Sequence, residues 1–81
     1  MSAIKPWDFG GLSQSGFRLL VVLINMRDDG VEQPWSWWDI INYRRSKEMP
    51  GLVWQRDLGT LEYLGYISRD DGIYLSGIVG V

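Results

Sequence analysis

Apolar residues along the chain fall into three periodic stretches separated by glycine, proline and acidic breaks. In the first, Phe17, Leu20, Val21, Leu23, Ile24 and Met26 give a wide apolar helical face, while Arg18, Asn25 and Asp28 fall on the other side. Ser13 or Ser15 is placed to cap this helix, because a hydroxyl accepts an orphan backbone N–H. Asp28-Asp29-Gly30 ends it, and since acids sit poorly at a helix C-terminus, Asp29 is read as already outside. A second helix is predicted from Trp37 to about Arg44, with Ser36 as cap, Asp39 in its first turn, and Ile40 and Ile41 inward. Trp37 and Trp38 cannot both be buried in a helix this short, so one of them, with Tyr43, is expected part-exposed. The third stretch predicts a helix from Pro50, whose missing N–H costs nothing in a first turn. Trp54, Leu58, Leu61 and Leu64 form its core face, and Gly65 takes the left-handed position that closes it.

The remaining segments read as strands and turns. Val31 to Trp35 contains Pro34 and is expected to be extended, with Trp35 near Tyr74. Tyr66–Arg69 and Ile73–Ser76 are short β-prone runs joined by Asp70-Asp71-Gly72, and Asp-Gly is a strong hairpin signal because glycine accepts positive φ. Helix, glycine, strand, tight turn and strand, with the text Leu61-Glu62-Tyr63-Leu64-Gly65-Tyr66-Ile67, resembles the end of a winged helix-turn-helix. The resemblance runs from Ser15 to Ser76. It implies an α+β, mostly helical domain: three helices and a C-terminal β-wing of two or three strands. The chain therefore divides into a lead-in at 1–14, the domain at 15–76 and an apolar tail at 77–81. In the lead-in, Trp7 and Phe9 are expected to cover one end of the core or to form a docking edge.

Composition narrows the function classes. Eighty-one residues make one domain, and its five Trp, four Tyr and two Phe supply a small aromatic core. Without Cys or His the chain lacks thiol chemistry, Cys-based metal sites and the usual general base. No spacing of carboxylates, Lys and hydroxyls suggests a reaction, so no enzyme, catalytic residue, metal or cofactor is expected. The longest apolar run, Leu19 to Ile24, is far short of the ~20 residues that span a bilayer. MSAIKPWDF carries no secretory h-region, and a soluble cytoplasmic protein is expected.

The formal net charge of −2 conceals an asymmetry. Between residues 44 and 56, Arg44, Arg45, Lys47 and Arg56 face the single acid Glu48, whereas the rest of the chain holds four bases and nine acids. An acidic body with one basic patch orients on a polyanion. In winged helices similar to this one, the N-terminal half of the third helix enters the major groove of double-stranded DNA. The resemblance puts Val53, Gln55, Arg56 and Thr60 at the base-reading positions. Arg pairs bidentately with guanine, Gln with adenine, and Val or Thr methyls meet thymine. Gly59 on the exposed side would permit a backbone to approach closely. Arg44, Arg45 and Lys47 become phosphate candidates beside the groove, and Arg69 resembles a wing base. The acidic wing tip opposes DNA, although turn chemistry alone calls for Asp and Gly there.

Two functions follow as expectations. The first is a small DNA-binding protein, a transcriptional regulator or an accessory factor in replication or recombination. By analogy with free-standing regulators its source is prokaryotic or viral. The second is a winged helix that binds protein through Trp35, Trp37, Trp38 and Tyr43, since aromatic rings anchor interfaces. The uncharged tail or the first helix is the candidate seam of a homodimer.

Overall fold

The computed structural model describes residues 12–76; the lead-in readings on Trp7 and Phe9 and the tail readings at 77–81 lie outside the described residues. Helix α1 (Gln14–Asp28) starts at Ser13, whose Oγ accepts the Gly16 N–H at 3.1 Å. Asp29 closes it, its N–H donating back to Asn25 O. Leu19, Leu20, Val22, Leu23 and Met26 on this helix are essentially inaccessible to solvent. α1 is thus the spine of the core.

Helix α2 (Trp37–Ser46) runs two residues beyond Arg44. Its start is a reciprocal capping box: Asp39 N–H donates to Ser36 Oγ at 3.1 Å, and Ser36 N–H donates to Asp39 Oδ2 at 2.8 Å. Ile40 is its one fully buried residue, with Ile41 and Trp37 packed at the core margin.

Helix α3 (Asp57–Tyr63) is shorter than the periodicity predicts. Gly51 has φ +82°, a left-handed conformation that no helix can start through, so Pro50 does not open one. The chain then runs irregularly through Leu52 and Val53. It enters α3 by a tight turn in which the N–H groups of Asp57, Leu58 and Gly59 donate three residues back, to Trp54, Gln55 and Arg56. Leu58 and Leu61 are buried as expected, but Trp54 is 46% exposed and Val53 takes the core position instead. Gly65 has φ +86° and ends the helix, and the next N–H, Tyr66, donates to Leu61 O.

Strands β1 (Ile67–Arg69) and β2 (Ile73–Leu75) pair antiparallel, Ile67 opposite Leu75, Ser68 opposite Tyr74 and Arg69 opposite Ile73. Ile67, Ile73 and Leu75 face the core, while Ser68 and Tyr74 face solvent. Asp71 at φ +55° and Gly72 at φ +146° make the turn. Trp35 adds an isolated bridge to β2: it exchanges two 2.9 Å backbone hydrogen bonds with Ile73, next to the expected Tyr74. Gln33 Oε1 accepts the Leu75 N–H at 2.8 Å and extends the same edge. The result is an α+β domain of three helices and a C-terminal two-stranded sheet, consistent with a winged-helix layout. Among the described residues no helix is long and apolar enough to cross a membrane.

Candidate nucleic-acid interface

Burial of Leu58 and Leu61 fixes which side of α3 stays free. Arg56, Gly59, Thr60 and Tyr63 follow one another at spacings of three, one and three, a single exposed stripe on the far side. Gln55 and Arg56 precede the helix proper, on the tight turn that leads into it. Of the four residues expected to read bases, Gln55, Arg56 and Thr60 are exposed. Val53 is only 8% exposed and belongs to the core cluster, so it cannot touch a base edge. That displacement has a simple cause: in non-helical backbone, Val53 and Trp54 point to opposite sides, and the smaller side chain went inward.

Trp54, freed from the core, lies beneath the Arg56 guanidinium, 5.6 Å from ring centroid to Cζ. The stack leaves the guanidinium beside an aromatic platform. Tyr63, 88% exposed, extends the stripe beyond Thr60 and was not assigned a role from sequence.

A cleft of about 230 Å³ brings together residues that the sequence placed in three separate classes. Trp37 from the start of α2, Gln55 from the turn before α3 and Arg69 from β1 all line it, with Ser36 and Leu58. Trp35 lines its inner wall but is completely buried, its indole N–H donating to Val31 O at 3.1 Å. Trp35 is therefore core, not the surface anchor that its sequence position suggests. A large aromatic that forms a β-rung and satisfies its own N–H has nothing left to offer a partner. Trp38, 70% exposed, is the tryptophan of the adjacent pair that faces solvent.

The basic residues differ in how they are held. Lys47 lies 3.4 Å from Asp29 and 5.8 Å from the centre of the Tyr43 ring. The Tyr43 hydroxyl donates to Asp29 as well. This hydrogen bond, aided by Lys47, holds the Asp29 carboxyl below its ordinary pKa. Burial, followed by the bond to Asp29, pushes the Tyr43 hydroxyl up to about 12. Arg69 pairs with Glu62 at 3.7 Å. Arg45 is exposed, with no ion pair or side-chain hydrogen bond among the described residues. Arg44 is half-buried and donates through Nε and Nη2 to the carbonyl of Gly51. Arg18, which carried no sequence signal, reaches the same loop from α1, its Nη1 donating to Leu52 O at 3.1 Å.

Asp57, at the start of α3, is 7% exposed, and its Oδ2 has no hydrogen-bond partner among the described residues. Its place in a first turn is electrostatically favourable for an acid. Among the described residues no three acidic side chains gather as a metal site. Comparison of the chain with protein-family models, with curated proteins and with solved structures finds no match.

Proposed function

We propose that this chain is a small winged-helix protein that binds double-stranded DNA. The observation that carries the reading is the free side of α3 and its approach turn. There Gln55, Arg56 and Thr60 are exposed together, the first sharing a cleft with Arg69 of the sheet. These side chains suit base edges in a major groove. Arg44, Arg45 and Lys47, at the end of α2, supply positive charge for phosphates, which fixes orientation without reading sequence. The mechanism is occupancy of a short site by a cytoplasmic transcriptional regulator or an accessory factor in replication or recombination. No residue is assigned a catalytic role.

Titration of the protein into labelled random-sequence duplex at low and moderate salt tests this. Binding that weakens steeply with salt, and is lost when Arg44, Arg45 and Lys47 are reversed to Glu, is the expected result. Absence of binding at low salt would overturn it.

A second reading has its own support. Trp38, Trp54 and Tyr63 are 70%, 46% and 88% exposed, and Leu52 is 58% exposed. Large aromatics on a surface are the usual anchors of protein interfaces. A shift of tryptophan emission on adding a protein partner, insensitive to salt, would favour it over DNA.

A further inference from the structure

Two guanidiniums from different helices meet at Gly51, whose backbone is left-handed at φ +82°. Arg44 of α2 donates to the Gly51 carbonyl. Arg18 of α1 donates to the next carbonyl, Leu52, and packs so closely on Gly51 that a Cβ there would collide with its guanidinium. Four acids are paired with other groups: Asp28 with Arg27, Asp29 with Lys47 and Tyr43, Asp39 with the α2 cap, and Glu62 with Arg69. Neither Arg18 nor Arg44 has a carboxylate partner among the described residues. Each guanidinium carries five N–H donors in a planar fork, and the carbonyl bonds occupy only one or two of them.

Two like charges held beside one another, with no carboxylate partner among the described residues, create a demand for an anion. The fork geometry favours a tetrahedral oxyanion able to accept from both. The position matters as much as the chemistry. The clamped residues, Gly51 and Leu52, lead directly into Trp54, Gln55 and Arg56, so an anion on the pair lies next to the proposed reading turn.

We propose that Arg18 and Arg44 together form a phosphate-binding site and that its phosphate comes from the backbone of the bound duplex. This rests on the DNA-binding reading above and adds Arg18, a residue on α1, to the interface. The pair grips one phosphate flanking the bases that Gln55 and Arg56 face. Gly51 is what lets the two guanidiniums close on the loop.

The test compares the salt dependence of duplex binding for the wild type, Arg18→Met and Arg18→Lys, each checked for native circular dichroism. Loss of one phosphate contact lowers the slope of log K against log salt by about one and weakens binding to all sequences alike. Arg18→Met should show both effects. Arg18→Lys, which keeps the charge but not the fork, should restore the slope with only part of the affinity. A wild type that binds while Arg18→Met binds equally well with an unchanged slope would overturn the inference and leave the DNA reading standing. If the wild type does not bind duplex, the DNA reading fails. Inorganic phosphate, followed through the Nε–H resonances of Arg18 and Arg44, then decides the pair by itself. Saturable shifts at both would keep the phosphate site and move its source to a free phosphate group. Unmoved resonances would overturn it.

Discussion

At the scale of single residues, the molecule is decided by which aromatic and aliphatic side chains reach α1. Leu61 is completely buried, and Leu61→Ala should cost about 2–5 kcal/mol through lost transfer energy and a residual cavity. Trp38→Ala removes a larger side chain yet should change stability by less than about 0.5 kcal/mol, because the ring is 70% exposed. Urea denaturation of both variants checks the pair, and comparable losses would mean that the faces of α2 and α3 are wrongly assigned. A second expectation concerns Tyr43. Its hydroxyl pKa is raised to about 12 in the folded protein, so between about pH 10 and 12 the native state holds a proton that the unfolded chain has released. Its contribution is complete below about pH 10 and is lost as pH rises through about 12. Asp29 behaves oppositely: its lowered pKa stabilises the fold above the ordinary carboxylate range and is lost as pH falls through the folded value. In alkaline melts from pH 9 to 12, Tyr43→Phe should lose stability less steeply than wild type; parallel curves would exclude the Tyr43 hydroxyl as the source. The sequence showed that Trp37 and Trp38 could not both be buried, because a short helix offers one inner face. It could not show that Trp35 would be core, since that depends on a backbone rung to Ile73, thirty-eight positions away.

At the scale of elements, caps and turns were legible where their chemistry is local. Ser13, Ser36 with Asp39, Gly65 and the Asp71-Gly72 turn all act within a few residues of themselves. The start of α3 was not legible for the same reason reversed. Trp54 lies in register with Leu58, Leu61 and Leu64, and the helical period extends smoothly back to Pro50. The positive φ at Gly51, where Arg18 and Arg44 reach the loop from two other helices, keeps Pro50 and Gly51 out of the helix. A periodicity argument cannot see a loop pinned from a distance. The short α3 that results is weakly built: it lacks a side-chain cap and contains Gly59. A Cβ at Gly59 would meet nothing within 4 Å. Gly59→Ala should therefore stabilise the fold by roughly 0.5–1 kcal/mol, by restricting the unfolded chain and favouring helix. A higher urea midpoint with an unchanged slope is the expected reading. A lower midpoint would show that this stretch is not helical in solution. If the same variant also weakens duplex binding, the close approach of a backbone to the free face of α3 becomes the natural explanation.

At the scale of the whole molecule, the question is how an acidic chain disposes a local concentration of bases. The charges of Arg44, Arg45, Lys47 and Arg56 are concentrated in sequence, but Asp29 stands against Lys47, and outside that concentration Glu62 stands against Arg69. Only the local concentration was visible before folding, because each of these acids meets its base through tertiary packing. The Arg69–Glu62 pair is the more informative to break. At 3.7 Å, with both side chains nearly half exposed, it contributes only about 0–1 kcal/mol to stability, so removing it should leave the fold intact. Its effect on the surrounding field is larger in consequence. Arg69 borders the cleft that holds Gln55, and Glu62 both occupies that guanidinium and repels phosphates. Glu62→Gln removes the negative charge while preserving the shape of the side chain. On the DNA reading, duplex affinity at low salt should rise several-fold, and the salt slope should steepen by up to about one as Arg69 gains a phosphate. On the protein-interface reading, the anchors are uncharged aromatic rings, and binding to a partner should show neither the gain in affinity nor the steeper salt slope. Unchanged duplex affinity in a stably folded Glu62→Gln protein would remove Arg69 from the interface. The wing would then stand clear of the duplex, with contact confined to α3, its approach turn and the end of α2.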